Sequence, residues 1–441
     1  MRTKIATVHL VLIAFLCGGA ALAQAGNRNL ANLARVALQG GATGAVAALR
    51  QAGPAGMNAL LAACPDGDCR GAQDVLDRVC GVRDCADIRL FWYTDLEAAK
   101  AAARAAGKPI LSLRLLGRLD EESSDADSRF FRTVFYKNRE INQILRDRYI
   151  LHWRSVRPVP RATIDFGDGT HLERTLAGNS IHYILDSRGR LLEPLPGLYG
   201  PATFQGALEE AARAETRTAA HLDDEQFMSW MVARRDSELT LDSEAFERDL
   251  KAAYPELAQA AADPTAHGYV PWTVLQFQAT LRALTGGTYL QGNNGQGNNG
   301  SQDNSEGPVL DEPMAVNDYQ LHRLAELRRP RIHLDPASRA SLLREHGVTD
   351  PREAERLVDT LEATVALDEV IHQYLAGPAI LEALSDPKVR KGFELEAFND
   401  WVYKKVFTPS LSDPRLGLGT ANVYHTLPAS FRPRTASKSG C

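Results

Sequence analysis

The chain has 441 residues, 44% hydrophobic and 24% charged. That ordinary globular composition excludes a wholly disordered chain, a collagen and a multi-span membrane protein. Lys and Arg number 50 against 55 Asp and Glu, for a net charge of −5. With no basic block, a nucleic-acid partner is not expected.

Residues 1–23 read as an export signal. Arg2 and Lys4 form a basic n-region, Val8–Leu16 is an apolar h-region, and Ala21-Leu22-Ala23 is a small-x-small cleavage site before Gln24. Cys17 suggests a lipoprotein box, but Leu16 is larger than the usual residue before it. No second apolar run of spanning length follows, so no membrane contact is expected after cleavage. The expected location is secreted or periplasmic. Export implies an oxidising compartment, which governs how the cysteines are read.

Residues 24–88 form a helical segment with a cysteine cassette. Leu30, Leu33, Val36 and Leu38, then Val46, Leu49, Leu60 and Leu61, recur at helical spacing, and Gly40-Gly41 and Gly53-Pro54 divide the run into short helices. Cys64, Cys69, Cys80 and Cys85 follow as two Cys-x4-Cys pairs. Three connectivities are open. A helix running from Cys69 to Cys80 would hold them ~16 Å apart at its rise per residue, beyond the ~7 Å a disulfide spans. The turn Pro65-Asp66-Gly67 and the flexible Gly81 favour Cys64–Cys69 and Cys80–Cys85. In an exported chain a structural role outweighs a four-cysteine zinc site. Cys441 is left without an internal partner.

From 89 to 220 the pattern alternates. Asp95–Gly107 reads as a helix with an N-cap and a C-terminal glycine. Ile110–Leu116 is a strand, Ser128–Arg146 one amphipathic helix, and Tyr149–Val156 a second strand. Thr163–Phe166 and His171–Leu176 flank the turn Gly167-Asp168-Gly169 as a hairpin, and Ile181–Leu185 with Leu191–Leu195 make another around Asp186–Gly189. Pro201–Ala214 closes the region as a helix. The fold class is therefore α/β, a mixed sheet with helices on both faces, flanked by helical N- and C-terminal regions. Residues 221–285 are helical, with His221, Asp223, Asp224 and Glu225 marking a helix start. Residues 286–313 form a Gly/Asn-rich linker, expected to be disordered. Helices return over 314–407, and 408–441 is an irregular tail rich in Pro and Ser.

The stretch from "FWYTDLEAAKAAARAAGKPILSL" (Phe91–Leu113) to "GNSIHYILDSRGRLLEPLPGLYGP" (Gly178–Pro201) resembles the thioredoxin-like fold. It is similar to a group of uncharacterised secreted bacterial proteins with thioredoxin-like domains. The resemblance implies a Cys-x-x-Cys motif between the first strand and the next helix, where the helix N-terminus activates a thiolate. Here Gly117–Ser128 carries no cysteine but five carboxylates: Asp120, Glu121, Glu122, Asp125 and Asp127. Ser180 stands where the resemblance implies a cis-proline. Dithiol exchange in this domain is therefore not expected.

The acidic loop reads first as helix N-terminal charge with Ser123, Ser124, Asp125 or Asp127 as the cap. It lacks calcium-loop spacing. No Gly-x-Ser-x-Gly, His-Glu-x-x-His, Walker or Gly-x-Gly-x-x-Gly motif occurs, so no cofactor, metal or catalytic residue is assigned. His182 is expected as a hydrogen-bonded core histidine. The leading expectation is a redox-inactive binding or scaffold module of the cell envelope, with an exposed groove and an unidentified protein partner. Two alternatives are a periplasmic thiol–disulfide oxidoreductase using Cys64/Cys69 or Cys80/Cys85, and a hydrolase of envelope polymers using the acidic loop, whose carboxylates would then sit in a cleft with raised pKa values.

Overall fold

The computed structural model describes residues 28–40, 42–65, 69–121, 124–175, 178–253, 318–386, 389 and 393–407. The expected signal, the Gly/Asn-rich linker, the C-terminal tail and Cys441 lie outside them. The chain is mixed α/β and divides into two units, one of Met1–Arg234 with Leu324–His372, the other of Arg235–Arg323 with Gln373–Cys441. No described helix is long and apolar enough to cross a membrane.

The first unit opens with α1 (residues 28–40), α2 (Thr43–Gln51), α3 (Pro54–Ala63), α4 (Gln73–Cys80) and the single turn α5 (Cys85–Ile88). Gly53 takes a positive φ of 66° and Pro54 starts α3, so the break falls where a left-handed residue and a missing N–H meet. Arg50 gathers this segment. Its guanidinium donates to the carbonyls of Val79 (3.0 Å) and Trp92 (2.6 Å) and lies 4.7 Å from the Phe91 ring centre. The cassette is fixed to the sheet as well: Trp153 Nε1 donates to the Gly81 carbonyl at 2.6 Å.

Five strands follow in one sheet, in the order β1 (Trp92–Tyr93), β3 (Ile150–Arg157), β2 (Ile110–Leu116), β6 (Ile181–Leu185) and β7 (Leu191–Pro196). β1 and β2 run parallel to β3, whereas β6 is antiparallel to both β2 and β7. The parallel half needs crossovers. α6 (Leu96–Ala106) joins β1 to β2, with the Asp95 carboxylate accepting the Ala98 N–H and Gly107 left-handed at its end. Between β2 and β3 the structure departs from the single helix expected over Ser128–Arg146. α7 (Ala126–Thr133) stops, a 3-10 turn spans Phe135–Lys137, and α8 (Arg139–Arg148) begins anew. The cause is Asn138, whose side-chain oxygen accepts the N–H groups of Glu140 and Ile141 and so starts a second helix.

Strands β4 (Arg161–Asp165) and β5 (His171–Thr175) form their own two-stranded ribbon. The expected turn at Asp186–Gly189 is present. The Asp186 carboxylate accepts the N–H groups of Arg188 and Arg190, and Gly189 has a φ of 91°. Arg190 pairs with Asp186 at 2.6 Å and reaches the carbonyls of Ala219 and Leu222, tying this turn to the chain beyond α9 (Pro201–Arg217).

One sheet face carries Leu113 and its cross-strand neighbour His182, under Phe131, Tyr136 and Phe204. His182 is fully buried and its Nε2 meets Tyr136 Oη at 2.7 Å, as expected of a core histidine. Burial lowers its pKa to about 3, so the ring is neutral. The opposite face holds a polar row: Ser112 Oγ lies 2.7 Å from His152 Nδ1 and accepts from the buried Arg114 at 2.6 Å.

Two C-terminal helices belong to this unit. α12 (Pro336–Glu345) docks against the α7–α8 break, with Ser338 Oγ donating to the Val134 carbonyl at 2.8 Å. α13 (Pro351–Ile371) docks against the loop after β7. Between these and α9 come α10 (Asp224–Ala253), which the sequence marks by its acidic first turn, and α11 (Asp318–Arg328). In the second unit, α14 (Gly377–Ser385) and α15 (Leu395–Lys405) bury Ile380, Leu381, Leu384, Phe398 and Val402. There Tyr374 donates to Asp249 at 2.6 Å, and Phe398 stacks on Trp401.

Candidate functional site

The five carboxylates of the acidic loop do not act together. Asp120 and Glu121 are surface groups paired with Arg118 at 2.7 and 3.2 Å. Glu122 lies outside the described residues. Asp125 and Asp127 instead turn inward at the end of β2, where the first turn of α7 begins.

Asp125 is the N-cap of α7. Its Oδ1 accepts the Ser128 N–H at 2.9 Å and its Oδ2 the Leu116 N–H at 3.2 Å. One carboxylate thus joins the last residue of β2 to the helix that follows it, and it is fully buried. Just before it, Ser124 Oγ accepts from Arg132, which also pairs with Asp84 of the cassette at 2.8 Å.

Asp127 points to the strand entry opposite. Ser180, at the position where the resemblance places a proline, donates its hydroxyl to Asp127 Oδ2 at 2.8 Å. Ser180 is 0% exposed and Asp127 is 9% exposed. A Cβ at Gly178 would stand 2.7 Å from Asp127 Oδ1, so glycine there is what lets the carboxylate fit. Ser180 and Asp127 are therefore packed against each other at this strand entry.

Part of the covering comes from α13, which sequence reasoning did not connect with this region. The ring of His372 lies against Gly197, where an added Cβ would collide with it. Gly197 in turn donates its N–H to the Ser180 carbonyl at 2.8 Å. His372 Nδ1 donates to the Asp368 carbonyl at 2.8 Å and stands 3.0 Å from Asp368 Oδ2, which also accepts the Leu198 N–H at 2.6 Å. Glu369 accepts from the Gly200 N–H (2.6 Å) and the Thr203 hydroxyl (3.0 Å), so it caps α9 from a distant helix. The one sequence signal was Asp368-Glu369 beside the apolar stripe of Val365, Ala366 and Val370.

The electrostatics follow from burial. Desolvation raises the pKa of both Asp125 and Asp127, and the negative charges of Asp125 and Asp368 push Asp127 up further. Burial draws the His372 imidazole down, but the ion pair with Asp368 outweighs it and leaves the pKa raised. Burial and neighbouring negative charge thus favour the protonated form of Asp127, which meets the Ser180 hydroxyl, and the pairing with Asp368 favours the charged form of His372. Ser180 and Asp125 are wholly enclosed, whereas Asp127, His372 and Asp368 keep part of their surface exposed. They form a polar clasp.

The cysteines pair as the sequence favours. Cys64–Cys69 has its Cα atoms 5.2 Å apart and Cys80–Cys85 6.2 Å. All four are buried. Asp77 holds the second bridge in place, accepting from the Cys85 N–H and from Gln73, both at 3.0 Å, and its burial raises its pKa to about 6. Among the described residues, no group of three or more His, Cys, Asp or Glu is placed to hold a metal ion. Comparison with known proteins yields no relative: no family model, no curated protein and no solved structure matches this chain.

Proposed function

We propose that the protein is an exported, thioredoxin-like binding or scaffold module of the cell envelope, without thiol–disulfide chemistry. The parallel β1–β3–β2 half and the antiparallel β6–β7 pair support the thioredoxin-like reading. Export rests on the basic n-region, the apolar run and Ala21-Leu22-Ala23, and two oxidised cysteine pairs accord with it. The observation that carries the proposal is the buried Ser180–Asp127 contact. It occupies the helix N-terminus where a redox member of that fold would present a thiolate. Fold alone does not specify chemistry, and here the chemistry has been replaced by packing. Buried bridges are also poor exchange partners, because a thiolate must reach the sulfur in line.

The test has two arms. The exported protein is assayed for insulin reduction in a glutathione buffer, and each bridge is titrated by thiol trapping and mass spectrometry. No acceleration and potentials below about −300 mV are expected of structural bridges. Turnover that disappears in Cys80→Ala/Cys85→Ala or Cys64→Ala/Cys69→Ala would transfer the function to the cassette. In parallel, cross-linking in intact cells is expected to join the chain to an envelope protein in fixed stoichiometry. A pattern of monomer alone refutes the binding role.

A further inference from the structure

Helices α8 and α12 enclose an open cleft of ≈ 700 Å³. The residue spacing explains its shape. From α8 it is lined by Arg139, Asn142, Gln143 and Arg146, which fall at i, i+3, i+4 and i+7 on one face of that helix. Ala337, Ala340 and Arg344 do the same on α12. The neighbouring face of α12, with Ser338, Ser341 and Leu342, is the one buried against the unit. Two alanines a turn apart leave the space open, and arginines border it on both sides.

Lys137, Arg139, Arg146 and Arg344 face one carboxylate here, Asp87, in a chain whose net charge is negative. That carboxylate is already engaged: Asp87 pairs with Lys137 at 2.9 Å, and the same ammonium donates to Ser341 at 2.9 Å. Asp335, at the start of α12, keeps its charge beside the cleft, with one oxygen accepting the Arg139 backbone N–H and the other the Ser338 N–H. Among the described residues, Arg146 pairs with the adjacent, exposed Asp147 at 3.6 Å. Among the described residues, the guanidinium groups of Arg139 and Arg344 pair with no carboxylate. Holding like charges around a concave wall is unfavourable unless something anionic enters.

We propose that this cleft binds a compact phosphate-bearing polyanion of the diphosphate class. Guanidinium forks match phosphate oxygens in pairs, and cations from two opposing walls suit a ligand with charge at both ends. The proposal is independent of the thioredoxin-like reading and of the Ser180–Asp127 contact, so its failure would leave them standing.

The test is calorimetric titration of the full chain with inorganic pyrophosphate. Saturable binding is expected, weakening between about 50 and 200 mM salt as charge screening requires. Arg139→Glu and Arg344→Glu should each weaken it by about tenfold or more, the scale of one lost charge-assisted hydrogen bond. Ala340→Leu changes no charge but narrows the cleft between the two helices, and should weaken binding measurably. Arg161→Glu, on the β4–β5 ribbon, carries the same charge change elsewhere and should leave binding intact. Orthophosphate should bind at least about tenfold more weakly than pyrophosphate, because it cannot bridge the walls. No saturation by about 1 mM pyrophosphate, the weak limit of specific affinity, overturns the site. So does binding that Ala340→Leu leaves unchanged, or equal affinity for citrate, which would remove the preference for phosphate.

Discussion

Replacing Asp127 by Asn should stabilise the protein at neutral pH. Ser180 keeps its acceptor, because the amide oxygen stands where Oδ2 now lies. What disappears is the cost of holding a proton on an acid that burial and the charges of Asp125 and Asp368 keep from ionising. Below the ordinary carboxylate range both folded and unfolded chains hold the proton, and the two variants differ little. Between that range and the raised folded value, the folded chain holds a proton that the unfolded chain has released. Stability of the parent therefore falls as pH rises through this window, and the Asn variant lacks this contribution while keeping the smaller ones of Asp77 and Asp125. A tenfold gain in proton affinity on folding is worth about 1.4 kcal/mol. Burial beside like charges raises the pKa of Asp127 to about 8, so at pH 8 the cost is on the order of 5 kcal/mol. Urea unfolding of both proteins at about pH 4.5, 6 and 8 measures the difference. His152 and His182 titrate alike in both and cancel. An Asn variant that is less stable than the parent at pH 8, with the deficit shrinking toward acid, would mean that Asp127 is ionised and paired with His372, and the clasp would be refuted.

His182, held at a pKa of about 3 by burial, should stay neutral by NMR at pH 5. Because the unfolded chain binds its proton near pH 6.5, this histidine lowers stability as pH falls from there toward 3; a ring that titrates near 6.5 in the folded protein refutes its enclosure. Cys80→Ala/Cys85→Ala should cost about 2 kcal/mol in urea unfolding, the loop-entropy value for a bridge this short, plus any loss from loosening Asp77. Glu369→Ala strips the acceptor from the Gly200 N–H and the Thr203 hydroxyl; leaving buried donors unpaired should cost about 2–3 kcal/mol, with faster hydrogen exchange at the start of α9. A variant within about 0.5 kcal/mol of the parent, the ordinary range of surface changes, would show that α13 does not hold that helix.

Much of the fold is legible locally. Asp95 before α6 and Gly107 after it, the turn at Asp186–Gly189, and both hairpins follow from residue types whose side chains or φ angles act on their near neighbours in the chain. The two disulfides belong with them, since a turn and a glycine bring each pair together at short range. The split of α7 from α8 was also written locally, in Asn138, but the run of apolar residues across 131–145 hid it. Periodicity reports which face is buried and is blind to a break whose two halves bury the same face.

The site is another matter. In the sequence Asp120, Glu121, Asp125 and Asp127 are one acidic run. Chain direction after β2 sends the first two to solvent beside Arg118 and the last two inward. Nothing local says that Asp127 meets Ser180, or that Asp368 and His372 approach the same strand entry. Nor can a helix-sized window tell that the Ala337–Arg344 face of α12 is left open opposite Arg139 and Arg146. The amino-acid sequence by itself determined where elements begin, how cysteines pair and that Gly117–Ser128 holds no cysteine, because those depend on neighbours along the chain. Which carboxylates are buried, what Asp127 meets and where cations converge were decided only in the tertiary structure. Desolvation and charge–charge energies depend on distances in space, here between residues as far apart in sequence as Leu198 and Asp368 or Gly200 and Glu369.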